Sequence, residues 1–239
     1  MIPRPLFKKV TRRIGFLCYS AIELLASLIL LFAVTPFVED LPAGNLLEAI
    51  LLTVALVSAG LAVGGRRQVL LIAALILTPT LLAKWTHYLF PHFLSPAVHL
   101  GLGLLFIGFV TAHLFRFIVR ASQVNSEVLC AGISIYFMIG LLWIFAYMLV
   151  GTLSPGAFSF VNDPDGERGM SSFNAFYFSF TTLSTVGFGD ITPVSKVART
   201  LATMEATTGM FYMAVMISRL VSLYSPAAMA AAAKSDQTT

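Results

Sequence analysis

Thr185-Val186-Gly187-Phe188-Gly189-Asp190 lies between a short apolar segment, Ser172 to Leu183, and a long one from about Val194 to Tyr224. Gly187 and Gly189 alternate with larger residues. Glycine reaches positive φ without a Cβ penalty, so successive carbonyls can be turned toward one axis. Backbone that is neither helix nor closed barrel is tolerated at membrane depth only where it packs in protein or lines a water-filled path. A dehydrated potassium ion needs several oxygens around it, and a membrane-buried chain can offer carbonyls without burying a charge. The stretch therefore reads as the lining of a cation path. Thr185 adds a hydroxyl ligand at its inner end, and Asp190 a negative charge at its outer mouth.

Composition agrees. The chain has 239 residues, 58% hydrophobic and 11% charged, more apolar than a soluble domain of this length can bury. It reads as an all-α integral membrane protein. The net charge of +4 does not point to nucleic acid, because the basic residues sit at the ends of apolar runs and form no stripe. Cys18 and Cys130 fall inside apolar segments and read as buried thiols, not a disulfide pair. No metal-ligand spacing and no nucleophile, base and acid constellation is visible, so no enzyme and no cofactor is expected beyond potassium as the permeant ion.

Thr185 to Asp190 resembles the signature filter of the potassium channel pore-loop family. The resemblance implies that the carbonyls of Thr185, Val186, Gly187 and Phe188, with the Thr185 hydroxyl, bind K+, and that Gly189 completes the strand. Phe188 stands where tyrosine is commoner, so packing must hold the outer filter. Thr181 stands where some members place a carboxylate behind the filter, which rules out a carboxyl bridge from that position. The resemblance covers the pore region, Glu127 to Tyr224, and the first four helices only in number and orientation.

Outward from the filter, apolar runs of about 20 residues mark candidate crossings. They cover roughly Ile14 to Val38, Leu46 to Gly64, Gln68 to Phe90, Pro96 to Val119 and Glu127 to Leu153, with the long segment after the filter as a sixth. The first is too long for a signal-peptide core and reads as a retained helix. The domain division follows: a basic cytoplasmic N-terminus 1–13, a four-helix membrane domain 14–120, a linker 121–126, a pore domain 127–224 and a short cytoplasmic tail 225–239. The tail is too short to fold as a regulatory domain. Asn162-Asp163-Pro164-Asp165-Gly166 reads as an exposed turret. Ser172 to Leu183 is too short to cross and must dip in and return, with Ser171 or Ser172 as its cap. Phe176, Tyr177, Phe178 and Phe180 offer an aromatic cuff around the filter, or simply face neighbouring helices or lipid.

Charge sets the orientation. With both termini in the cytoplasm, Arg4, Lys8, Lys9, Arg12, Arg13, Arg66, Arg67, Arg116, Arg120, Arg219 and Lys234 lie inside, leaving Lys84, Arg168, Lys196 and Arg199 outside or near the outer interface. Glu39, Asp40, Asp163, Asp165, Glu167 and Asp190 fall outside, where a negative mouth concentrates cations. A cell membrane, inner or plasma, is the expected location, with the lipid bilayer and K+ as partners.

The fourth helix carries only His99, His113, Arg116 and Arg120, and the arginines sit at its cytoplasmic end. Steep voltage gating needs several charges, each worth only ~2.3 kcal/mol per 100 mV, so strong voltage sensing is not expected. Glu23 is placed to pair with His113 or Arg116 if the helices adjoin, Lys84 to snorkel, and His87, His92 and His99 to cluster outside, as pH-sensitive groups or as structural ones. On the last helix, Gly209 is a hinge or a close-packing glycine, and Thr207, Thr208, Met213 and Met216 are candidates for the cavity wall. Glu205 tunes the cavity or the back of the filter, or pairs with a hydroxyl of the pore helix.

One chain supplies one filter strand, so a closed carbonyl ring requires a homotetramer in this family. Three rivals share features with this reading. A nonselective cation channel needs a degraded filter. A potassium-uptake subunit carries four loose pore loops in one chain, and a regulatory subunit does not conduct alone.

Overall fold

The computed structural model describes residues 5–38, 44–63, 67–90, 93–120, 126–161 and 169–223. Arg4, Glu39, Asp40, Arg66, His92, most of the linker, the turret 162–168 and the tail from Tyr224 onward lie outside the described residues, as do the side chains of Lys8, Lys9, Arg12, Arg13, Cys18, Arg67 and Arg120. Seven helices are described: α1 Pro5–Val38, α2 Gly44–Ala62, α3 Arg67–Leu89, α4 Pro96–Arg120, α5 Ser126–Leu153, α6 Ser172–Leu183 and α7 Lys196–Leu223. Two short strands, β1 Phe158–Phe160 and β2 Ile191–Pro193, join them. The architecture is thus mostly helical and multi-pass. Helices α2 to α5 combine the length and the apolarity to cross a bilayer. Helix α1 has 34 residues and an apolar stretch from Ala21 to Phe37, and α7 has 28 residues with a more polar composition.

Helix ends follow from local chemistry. Pro96 opens α4, where its missing N–H costs nothing and its fixed φ suits the first turn. The Ser171 hydroxyl accepts from the Asn174 N–H at 3.2 Å and caps α6. Ser195 does the same for α7, accepting from the Ala198 N–H at 3.1 Å. With 12 residues, α6 extends only about 18 Å, well short of a bilayer core.

Helix α5 is the hub. On one side it meets α4 and α1; on the other, α6 and α7. On α4, Ile107, Val110, Leu114 and Ile118 form a stripe at three- and four-residue spacing, all buried. Ile135, Met138 and Phe145 of α5 belong to the same core, and the Phe145 ring lies over Gly103, where a Cβ would collide with it. Leu24, Leu28 and Leu31 of α1 pack into the same core with Leu52, Ala55, Leu56 and Ala59 of α2.

Two expectations for this region change. Lys84 does not snorkel outward: its side chain lines a pocket of about 140 Å³ with Thr35, Glu48, His99 and Ser172. A charge in a membrane domain is less costly near an opposite charge, here Glu48, than in lipid. Glu23 lies on the exposed face of α1 and does not line the pocket where His113 and Glu127 meet. His87 and His99 do come together, their rings stacked 4.7 Å apart.

Candidate functional site

The segment from Ser184 to Asp190 leaves the C-terminal end of α6 as exposed, non-helical backbone. Thr185, Gly187 and Gly189 have φ of +61°, +52° and +82°. Val186 and Phe188 between them are not in that region. Handedness therefore alternates residue by residue. In a strand, successive carbonyls point to opposite sides, and alternating handedness cancels that reversal, bringing them to one side. For the glycines the conformation is free of steric cost. Thr185 is β-branched, and a left-handed conformation there is strained by about 1–3 kcal/mol, a cost that persists where surrounding structure fixes it.

The fixing is visible. The carbonyl of Thr181 accepts from the N–H groups of both Val186 and Gly187, at 2.9 and 3.1 Å, and Thr182 O accepts from Thr185 N–H at 2.9 Å. The amides of Thr185, Val186 and Gly187 thus tie this segment to the last turn of α6. Beyond it, β2 pairs antiparallel with β1, Ser159 opposite Thr192, and the Asp190 carbonyl accepts from the Val161 N–H at 2.9 Å. The strand pair escaped the sequence reading; the only signal was the aromatic and β-branched character of Phe158-Ser159-Phe160 and Ile191-Thr192-Pro193.

The aromatic cuff resolves into separate tasks. The Tyr177 ring stacks on Phe188, centroids 6.2 Å apart. Tyr177 of α6 thus packs against Phe188 from the side of the helix. Phe176 and Phe180 face away, in a cluster with Phe32 of α1 and Phe137 of α5. Phe178 packs edge-on against Tyr147 and Phe158.

On α7, Gly209, Met213 and Met216 line a recess of about 590 Å³ shared with Thr185, Leu183 and Tyr136. Thr208 faces a different groove, with Gly108, Thr111 and Trp143, and Thr207 is exposed. The carbonyl of Leu183 occupies the place a Gly209 Cβ would take, so close packing requires this glycine. Glu205 is not in the lining of the recess. It is fully buried, with Ser179 donating to Oε1 at 2.6 Å and Tyr147 donating to Oε2. The hydroxyl partner expected from the pore helix is Ser179; Tyr147, 58 residues away in sequence, was not foreseen.

Residues 127–225 match the model of a family described as ion channel. Among curated proteins, the chain is 32% identical to two pore potassium channel a of Oryza sativa subsp. japonica, over 35% of this chain and 23% of that protein. It is 41% identical to two-pore potassium channel 4 of Arabidopsis thaliana, over 20% of this chain and 17% of that one. It is 32% identical to the inward rectifier potassium channel Kirbac3.1 of Paramagnetospirillum magnetotacticum, over 35% and 25%. The matched stretches thus span at most about a quarter of the length of these relatives. No solved structure matches the chain significantly.

Proposed function

We propose, from the match of residues 127–225 to an ion channel family model and the likeness to proteins named potassium channels, that this chain forms a potassium-selective channel passing K+ passively across the cell membrane. The observation that carries the reading is the alternation of handedness along Thr185 to Gly189, which leaves a row of carbonyls on one side of an exposed strand. One chain offers only one wall. Four copies around an axis close the ring, and the carbonyls of Thr185, Val186, Gly187 and Phe188 with the Thr185 hydroxyl then replace the water that K+ sheds. Gly189 carries the turn to Asp190 at the outer mouth, where the carboxylate draws cations in.

In this arrangement α1 to α5 and α7 make six crossings with both termini cytoplasmic, and α6 with the filter dips in and returns. The recess bounded by Thr185, Gly209 and Met213 forms part of the inner vestibule. Gly103 and Gly108 of α4 face Phe145 and Leu142 of α5, and Arg116 is exposed near the end of α4, which supports a channel without steep voltage gating.

The test is flux through liposomes holding the purified chain alone. Uptake of K+ far above Na+, blocked by barium, is the expected result. Equal fluxes favour a nonselective cation channel, and no flux a regulatory subunit; either overturns the proposal.

A further inference from the structure

The filter's amides hang from the last turn of α6, so the position of α6 decides where the carbonyls stand. Two contacts, one helical turn apart on each partner, set that position against α7. Ser179 meets Glu205, and four residues on, the Leu183 carbonyl meets Gly209. Residues four apart share a helix face, so the two contacts together fix the register and separation of the helices. Between them lies Thr181, whose carbonyl holds the amides of Val186 and Gly187.

Glu205 does more than join two helices. Its second oxygen takes the Tyr147 hydroxyl of α5, so one carboxyl ties the outer helix, the pore helix and the inner helix. Ser179, Tyr147 and Glu205 are each 0% exposed, which leaves no water to substitute for a lost partner. Ser179 Oγ also lies 3.1 Å from the Gly140 carbonyl of α5, a second acceptor in reach of its single hydrogen. A buried polar group deprived of its partner is costly, and the neighbouring backbone shifts to relieve it.

We propose that Glu205 is a positioning residue for ion selection: through Ser179 and Tyr147 it holds α6, and with α6 the carbonyl row, at the spacing that distinguishes K+ from Na+. The inference rests on the proposed channel function. Selection by a carbonyl ring needs its oxygens held to about half an ångström, the tolerance of preorganised sites generally, and a displaced pore helix exceeds that.

The experiment measures bi-ionic K+/Na+ reversal potentials in planar bilayers for the full-length chain and for Ser179→Ala, Tyr147→Phe, Glu205→Gln and Glu205→Ala. Loss of a hydrogen bond to a buried carboxyl predicts a permeability ratio lowered about tenfold in Glu205→Ala and several-fold in Ser179→Ala and Tyr147→Phe. Glu205→Gln, which keeps the shape and can still accept one hydroxyl, is expected to fall between Glu205→Ala and wild type. A merely structural role changes the yield of assembled channels and leaves the ratio per channel alone. If Glu205→Ala does not assemble, the two single-hydroxyl variants decide. Wild-type ratios in Ser179→Ala and Tyr147→Phe overturn the positioning role while leaving the channel reading intact. An unselective wild-type chain overturns the channel reading and the positioning role with it.

Discussion

Helix α5 meets α4 where the Phe145 ring lies over Gly103 and Leu142 faces Gly108, and it meets α6 and α7 through aromatic rings together with hydroxyls, a carboxyl and backbone carbonyls. The first seam is apolar, non-directional and tolerant of small shifts, since apolar attraction scales with area and not with angle. The second is directional. Tyr147 and Ser179 bind Glu205, and the Tyr212 hydroxyl binds the Gly132 carbonyl. Hydrogen bonds fix distance and angle where dispersion does not. The difference is one of kind: α4 is held by packing, whereas α5, α6 and α7 are registered against one another by hydrogen bonds as well.

The largest effect that sharpens this contrast is expected at Gly187, where φ is +52°. A Cβ there costs about 1–2 kcal/mol in each copy, and it acts on the carbonyl row directly. Gly187→Ala is predicted to abolish selective conduction while the helical signal in circular dichroism stays unchanged. Persisting selectivity places the filter elsewhere.

Next comes a matched pair of glycines. A Gly209 side chain collides with the Leu183 carbonyl, a backbone atom with little freedom to move, whereas nothing lies within 4 Å of a Cβ at Gly101 in α4. Gly209→Ala is expected to destabilise the pore by about 1–3 kcal/mol, the usual cost of overpacking, and to lower the melting temperature in detergent. Gly101→Ala is expected to be neutral or to stabilise by about 0.5–1 kcal/mol, the helix preference for alanine. Equal destabilisation by both breaks the comparison, because the α4 region then demands the same fit as the pore.

The smallest effect is expected at Arg116, exposed on α4. Arg116→Gln is predicted to leave the conductance–voltage relation within about 10 mV of wild type, since one charge at an interface crosses little of the field. A large shift reveals a sensing role for α4.

Much of this was legible in the sequence because the chemistry is local. Runs of apolar residues stopped by Gly, Pro or charge gave limits close to those observed for α2 to α7, and Ser172 to Leu183 is a helix with the bounds read; α1 starts at Pro5, nine residues before the apolar run, because a helix continues through basic residues that hydropathy leaves out. Gly187 and Gly189 announced their positive φ. Thr185 did not, because β-branched residues disfavour that conformation and only the amide ties to Thr181 and Thr182 impose it. Partners far apart in sequence were also hidden. Spacing placed Phe176 and Phe180 on one face of α6 but not against Phe32 and Phe137, and nothing local to Lys84 told that it faces Glu48 and not lipid. Gly209 was equally ambiguous as hinge or contact until the Leu183 carbonyl was seen against it.

The central claim, that main-chain oxygens of Thr185 to Phe188 from several copies surround the permeant ion, is tested most directly by a density map of the purified assembly in potassium. The account predicts a four-fold axis with these carbonyls facing it and ion density between them. Residues 185–189 lying away from any shared axis contradict it.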